Sequence, residues 1–120
     1  AAADATENGK VIGVDVDQSG ESERIITSAM KNLTGSVEIA LTDLYANNGT
    51  WSDTDAGKTA NLGIKEDCVG IPTAEGSWRL SKFTVDEYNV LFEMAKNGEV
   101  SVSNDTTKQP ETSIVKLNVQ

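Results

Sequence analysis

One hundred and twenty residues suit a single domain, and 38% hydrophobic content allows a modest core. Nineteen acids against ten bases give a net charge of −9, so no basic patch exists to grip nucleic-acid phosphates. Histidine is absent, which removes the commonest general base and the commonest metal ligand, and a lone cysteine excludes an internal disulfide or a thiolate zinc cluster.

The chain opens AAADATENGK, alanine-rich and without a methionine, and Asn8-Gly9 reads as the stop of a helix that feeds a strand. That strand, Lys10–Asp15, leads the stretch VIGVDVDQ at Val11–Gln18. Val11, Ile12, Gly13 and Val14 run without a polar break, the pattern of a strand buried on both faces of a parallel sheet. The run meets a carboxylate at Asp15, and ligands of open α/β sheets bind just beyond the carboxyl ends of strands. Asp17 and Gln18 lie one step further into a polar loop. Arg24–Met30, followed by Lys31, reads as a second strand.

Thr34 is the candidate cap of the next helix, with Glu38 near its positive end. Val37, Ala40, Leu41, Leu44 and Tyr45 fall on one helical face and read as core, and Asn47-Asn48-Gly49 stops the helix. Thr50–Lys58 is a polar loop whose Trp51 is expected to cover the helix end. Asp53 and Asp55 open like a calcium loop, but Gly57 falls one residue early and no closing glutamate follows, so no metal is expected there. Asn61–Ile64 and Cys68–Ile71 read as two short strands around Lys65-Glu66-Asp67, with Gly63 and Gly70 marking bulges or close backbone approach. Cys68 reads as packing.

Phe83-Thr84-Val85-Asp86-Glu87-Tyr88 is the clearest local signal. Thr84 and Glu87 form a capping box, and Phe83 with Tyr88 a hydrophobic staple. Tyr88, Leu91, Phe92 and Ala95 share one face, and Gly98 stands at the C′ position. A polar linker, Asn104–Glu111, then precedes an alternating strand at Ile114–Val119. The order of elements is α/β, without the opening βα units of a complete doubly wound sheet.

VIGVDVDQ, the block IITSAMKN running straight into a helix, the GK–LGIK–VGI segment, a capped helix and a last strand together resemble one family. It is the basic membrane protein family (BMP or Med type) of ABC-transporter solute-binding lipoproteins, in which Thr27, Ser28 and Lys31 recur at the family's spacing. The resemblance implies a mainly parallel sheet flanked by helices, a Rossmann-like lobe fragment of a type I periplasmic binding protein. It further implies a purine nucleoside or similar ribose-bearing solute held between two lobes, an ABC permease as partner, and an extracytoplasmic place at the cell membrane through an N-terminal lipid anchor. Residues 1–120 would be the C-terminal part of such a protein, with the first lobe and the anchor absent from this chain. Asp15 and Lys31 match positions where the family contacts its ligand. Asp17, Gly63 and Gly70 are further candidates.

The chemistry of these residues agrees with that implication. One carboxylate can accept both donors of a vicinal diol, and the Lys31 ammonium can donate to a ribose oxygen or pair with Asp15. Asp17 has a competing reading, as a residue that structures its loop. No catalytic residue and no cofactor is expected. Two other classes fit parts of the pattern. Asp15-Val16-Asp17 after an apolar strand also resembles the first motif of haloacid-dehalogenase-type magnesium-dependent phosphatases, although no later acidic motif completes a metal site. The third is an interaction or sensor module that kept the fold without its ligand.

Overall fold

The structure, a computed structural model, describes residues 3, 5–103, 105–109 and 111–113. Its elements are β1 (Val11–Asp15), β2 (Ile25–Lys31), α1 (Leu33–Ala46), a 3-10 turn (Ile64–Glu66), β3 (Val69–Gly70) and α2 (Val85–Lys96). The strands form one mixed sheet in the order β1-β2-β3. β1 runs parallel to β2, and β3 is antiparallel to it. With its flanking helices this is the α/β class expected from the sequence. The expected strand at Ile114–Val119 lies outside the described residues.

The helices start and stop where backbone chemistry dictates. Thr84 accepts the Glu87 amide at 3.2 Å, and the Glu87 carboxylate accepts the Thr84 amide at 2.8 Å, so the expected capping box is present. Both helices close in Schellman pairs. Gly49 N–H donates to the Leu44 carbonyl and Asn48 N–H to that of Tyr45; Glu99 and Gly98 do the same toward Met94 and Ala95. Asn48 and Gly98 take the left-handed C′ position, at φ 53° and 79°. The first cap differs from expectation. Asn32, not Thr34, accepts the Gly35 amide at 2.9 Å, because β2 runs directly into α1 and the chain turns two residues earlier.

Aromatic stacking attaches α2 to the rest. Trp78 lies between Phe83 and Tyr88, with ring centroids 5.9 and 5.8 Å away, and Tyr88 continues to Phe92 at 5.6 Å. Trp78 therefore bridges the two ends of the expected staple. The Tyr88 hydroxyl accepts the Ile71 amide at 3.2 Å, tying α2 to the residue after β3. Cys68 is buried, as expected of a packing residue, and Ile25 and Pro72 join it.

Other expectations are corrected. β1 is not buried on both faces: Gly13 is, but Val11, Ile12 and Val14 are 37%, 60% and 55% exposed. β1 is an edge strand in this sheet, and among the described residues only Val14 of its apolar side chains shares a groove with α2, opposite Tyr88 and Phe92. The α1 stripe is not core either, since Val37, Leu41 and Tyr45 are exposed. The partly covered side of α1 runs through Ile39 and Ala40, where Trp51 and Leu62 of the following loop line a shared groove. Residues 5–8 make turns closed by i→i+3 bonds, such as Gly9 N–H to the Thr6 carbonyl, where a helix end was expected. Asn61–Ile64 is not a strand, because the chain tightens into the 3-10 turn beginning at Ile64.

One buried hydroxyl carries a consequence for stability. Thr27 Oγ1 on β2 is sequestered and has no hydrogen-bond partner among the described residues. An unpaired buried hydroxyl costs desolvation without return, and an apolar group of the same shape avoids that cost. Thr27→Val should therefore raise stability, by up to about 1 kcal/mol, read as a higher urea midpoint with an unchanged m-value.

Candidate functional site

The parallel pairing of β1 and β2 builds the site. It sets Asp15 opposite Met30, so that Lys31 stands one step beyond, and both strands end on the same rim of the sheet. A cleft of about 410 Å³ opens there, lined by Asp15, Asp17, Lys31, Asn32, Asp67 and Gly70 among others. This is the carboxyl edge where α/β sheets bind ligands. Lys31 Nζ lies 2.7 Å from Asp15 Oδ1. Both side chains are more than half exposed, so the pair adds little to stability and leaves its charges available to a ligand.

Asp15 has an unusual backbone. Its φ is 73°, in the left-handed region, and Val16 N–H reaches back to the Val14 carbonyl at 2.9 Å. The two features describe a γ-turn centred on Asp15. Strain of this kind persists only where neighbouring contacts hold it, and it gathers at ligand clamps and active sites.

Asp17 also lines the cleft, but its carboxylate is taken up by Ser19 and Ser77. Its Oδ1 accepts the Ser19 amide at 2.9 Å, and its Oδ2 accepts the Ser77 hydroxyl in a short hydrogen bond. The Ser77 hydroxyl, then the Ser19 amide, hold its carboxyl below the ordinary carboxylate range. It is thus a loop-structuring acid at the cleft wall, and it is not paired with Asp15 as a phosphatase acid would be.

The loop of residues 16–24 is short for a parallel connection, which ordinarily takes a dozen or more residues and a helix. Arg79 holds it. Its guanidinium donates to the carbonyls of Ser22 at 2.9 Å, Ile25 at 2.8 Å and Ser19 at 3.1 Å. The planar fork of an arginine presents its donors in fixed, pre-organised directions, whereas the three donors of a lysine radiate from one nitrogen on a flexible stem.

The remaining candidates divide. Gly70 lines the cleft, and the close approach there is made by Tyr88, whose hydroxyl would lie 3.2 Å from an added Cβ. Gly63 does not line it. Its amide donates to Glu66 Oε2 and its carbonyl accepts the Cys68 amide, so it opens the 3-10 turn. Sequence reasoning missed Asn32 and Asp67. Asn32 caps α1 and donates to the Asp67 carbonyl at 3.2 Å; Asp67, left-handed at φ 55°, accepts Lys96 Nζ at 2.6 Å. A second acid at the cleft could have been suspected from Lys65-Glu66-Asp67, but only the antiparallel pairing of β3 brings it there.

A cleft at the strand ends of a small α/β sheet, with an exposed acid–lysine pair at its rim, is the kind of site where a small-molecule binding protein holds its ligand. A family model described as ABC transporter substrate-binding protein PnrA-like (Bmp) matches residues 1–106, and the chain belongs to that family. The family is one of extracytoplasmic solute-binding, non-catalytic proteins that work with a transporter permease, and the fold is consistent with a Rossmann-like lobe of such a protein. No curated protein matches the chain. Among the described residues no helix is long and apolar enough to cross a membrane.

Two outcomes follow for the loop. Arg79→Ala should lower stability by about 2 kcal/mol, by loss of charge-assisted hydrogen bonds, and Arg79→Lys should recover less than half of that in urea unfolding. For Asp17, the folded carboxyl titrates below its ordinary value of 3.8. The stability it contributes is therefore complete above that value and is lost as pH falls through the lower folded value. Asp17→Asn should flatten the decline of unfolding midpoints below pH 3.8 and leave their slope at neutral pH unchanged.

Proposed function

We propose that this chain carries the ribose-contacting half of a nucleoside-binding site, within a two-lobed protein that delivers its solute to an ABC permease. The observation that carries the reading is the exposed Asp15 carboxylate, paired with Lys31 inside the cleft at the strand ends. A vicinal diol offers two donors, and an ionised carboxylate accepts both. Lys31 engages Oδ1 and adds a donor for a ribose oxygen or a base nitrogen. The base would stack in the opposite lobe, and closure of the two lobes would create the form the permease recognises. In this reading the chain is the C-terminal part of a type I binding protein, with a lipid anchor on the other lobe.

Calorimetry of the full-length protein against a panel of purine and pyrimidine nucleosides tests the assignment. Asp15→Ala should cost about 2–3 kcal/mol of binding free energy through loss of charge-assisted hydrogen bonds. An affinity unchanged within error would remove Asp15 from the site. If neither nucleosides nor free ribose bind the wild-type protein, the solute is of another class.

A further inference from the structure

Gln18 does not line the cleft, yet it touches both strands that build it. Its side-chain Oε1 accepts the Val14 amide at 3.0 Å, one residue before Asp15. Its own amide donates to Ser28 Oγ at 3.1 Å, on the fully buried serine of β2. We propose that Gln18 is a positioning residue: by clamping Val14 to β2 it holds the γ-turn that presents the Asp15 carboxylate to the ligand.

Gly13 shows how closely this clamp is fitted. A Cβ at that position would stand 2.4 Å from Ser28 Oγ and 2.7 Å from Gln18 Oε1, so the glycine is the space in which the two side chains lie. Gly13 is opposite Ser28 in the strand register, which places serine and glutamine over the same point of β1. Val14 then has its amide held by Gln18 and its carbonyl by Val16. Between those two bonds Asp15 adopts the left-handed φ of 73° that an L-residue keeps only when its surroundings impose it. Released from the clamp, Asp15 would relax toward ordinary extended backbone and its carboxylate would swing away from the position beside Lys31. Preorganisation of this kind appears as selectivity, because a bidentate contact is lost when the acceptor is misplaced while a general weakening affects all ligands alike.

The inference rests on the proposed ribose contact for its ligand readout, but a second readout is independent of any ligand. Gln18→Leu removes the acceptor at similar length, and Gln18→Glu keeps it. In the full-length protein, amide hydrogen exchange at Val14 and Val16 should quicken about tenfold in Gln18→Leu and stay near wild type in Gln18→Glu. Guanosine should bind the wild type at least about tenfold more tightly than 2′-deoxyguanosine, and Gln18→Leu should shrink that ratio below about threefold. Faster exchange at Val14 alone, with Val16 and the ratio intact, overturns the proposal. So does equal weakening of both ligands, which would make Gln18 a general structural residue. A wild type without preference for the ribose would remove the nucleoside reading, and the exchange of Val16 would still decide the role of Gln18.

Discussion

The Arg79 guanidinium is the interaction on which the cleft depends. Two parallel strands are joined by a loop without a helix, so the loop cannot borrow the internal hydrogen bonds a crossover helix would provide. Its backbone carbonyls need donors, and one side chain from a distant loop reaches two of them, Ser19 and Ser22, and also the carbonyl of Ile25 where β2 begins. Asp17, Ser19 and Ser77 close the same loop from its other side, with the Ser19 hydroxyl donating to that of Ser77 at 3.1 Å. Fixing residues 16–24 in this way fixes the pairing of β1 with β2, and that pairing puts Asp15 beside Lys31.

The two aspartates of the DVD sequence have opposite tasks. Asp17 is satisfied by neighbouring donors, which lower its pKa and commit its carboxylate to the loop. Asp15 is exposed, held to Lys31 by one oxygen, and set on a strained turn. Groups that serve folding satisfy themselves internally, whereas a group that serves a ligand keeps capacity for it. The same division separates Asp67, tied by both oxygens to Lys96, from Asp15 on the facing wall. For Lys96 that contact outweighs desolvation and raises its pKa, so the attachment between α2 and the cleft wall is complete below the ordinary lysine value of 10.5 and is lost as pH rises through the higher folded one.

Apolar surface is distributed unevenly over the described residues. The aromatic run through Trp78, Tyr88 and Phe92 makes one packed cluster beneath α2. The apolar residues of β1 and the Val37–Leu41–Tyr45 stripe of α1 stand open to solvent. Exposed apolar area of this extent is costly to a protein in water and suits surfaces that pack against further structure.

Local rules were legible in the sequence because they act within four or five residues. The Thr84–Glu87 capping box, the left-handed C′ glycine at position 98 and the α/β alternation all depend on near neighbours, and each is present. Asp15 could be singled out because a charged residue at the end of an apolar strand is conspicuous, whatever the strand pairs with, and Lys31 because it falls at the spacing of the family it resembles. Burial was not legible: VIGV has the composition of an interior strand, but whether something covers it is decided by its neighbours, and here it is an edge. The reach of Arg79 to Ser19, the Asp17–Ser77 bond and the arrival of Asp67 at the cleft each join residues far apart in the chain. The sequence by itself determined the start of α2, the stops of both helices and the strand-end acid and lysine that could meet a solute; the tertiary structure alone decided where α1 is capped and which side chains share a cavity, because long-range pairing follows from how the strands align and has no local signature.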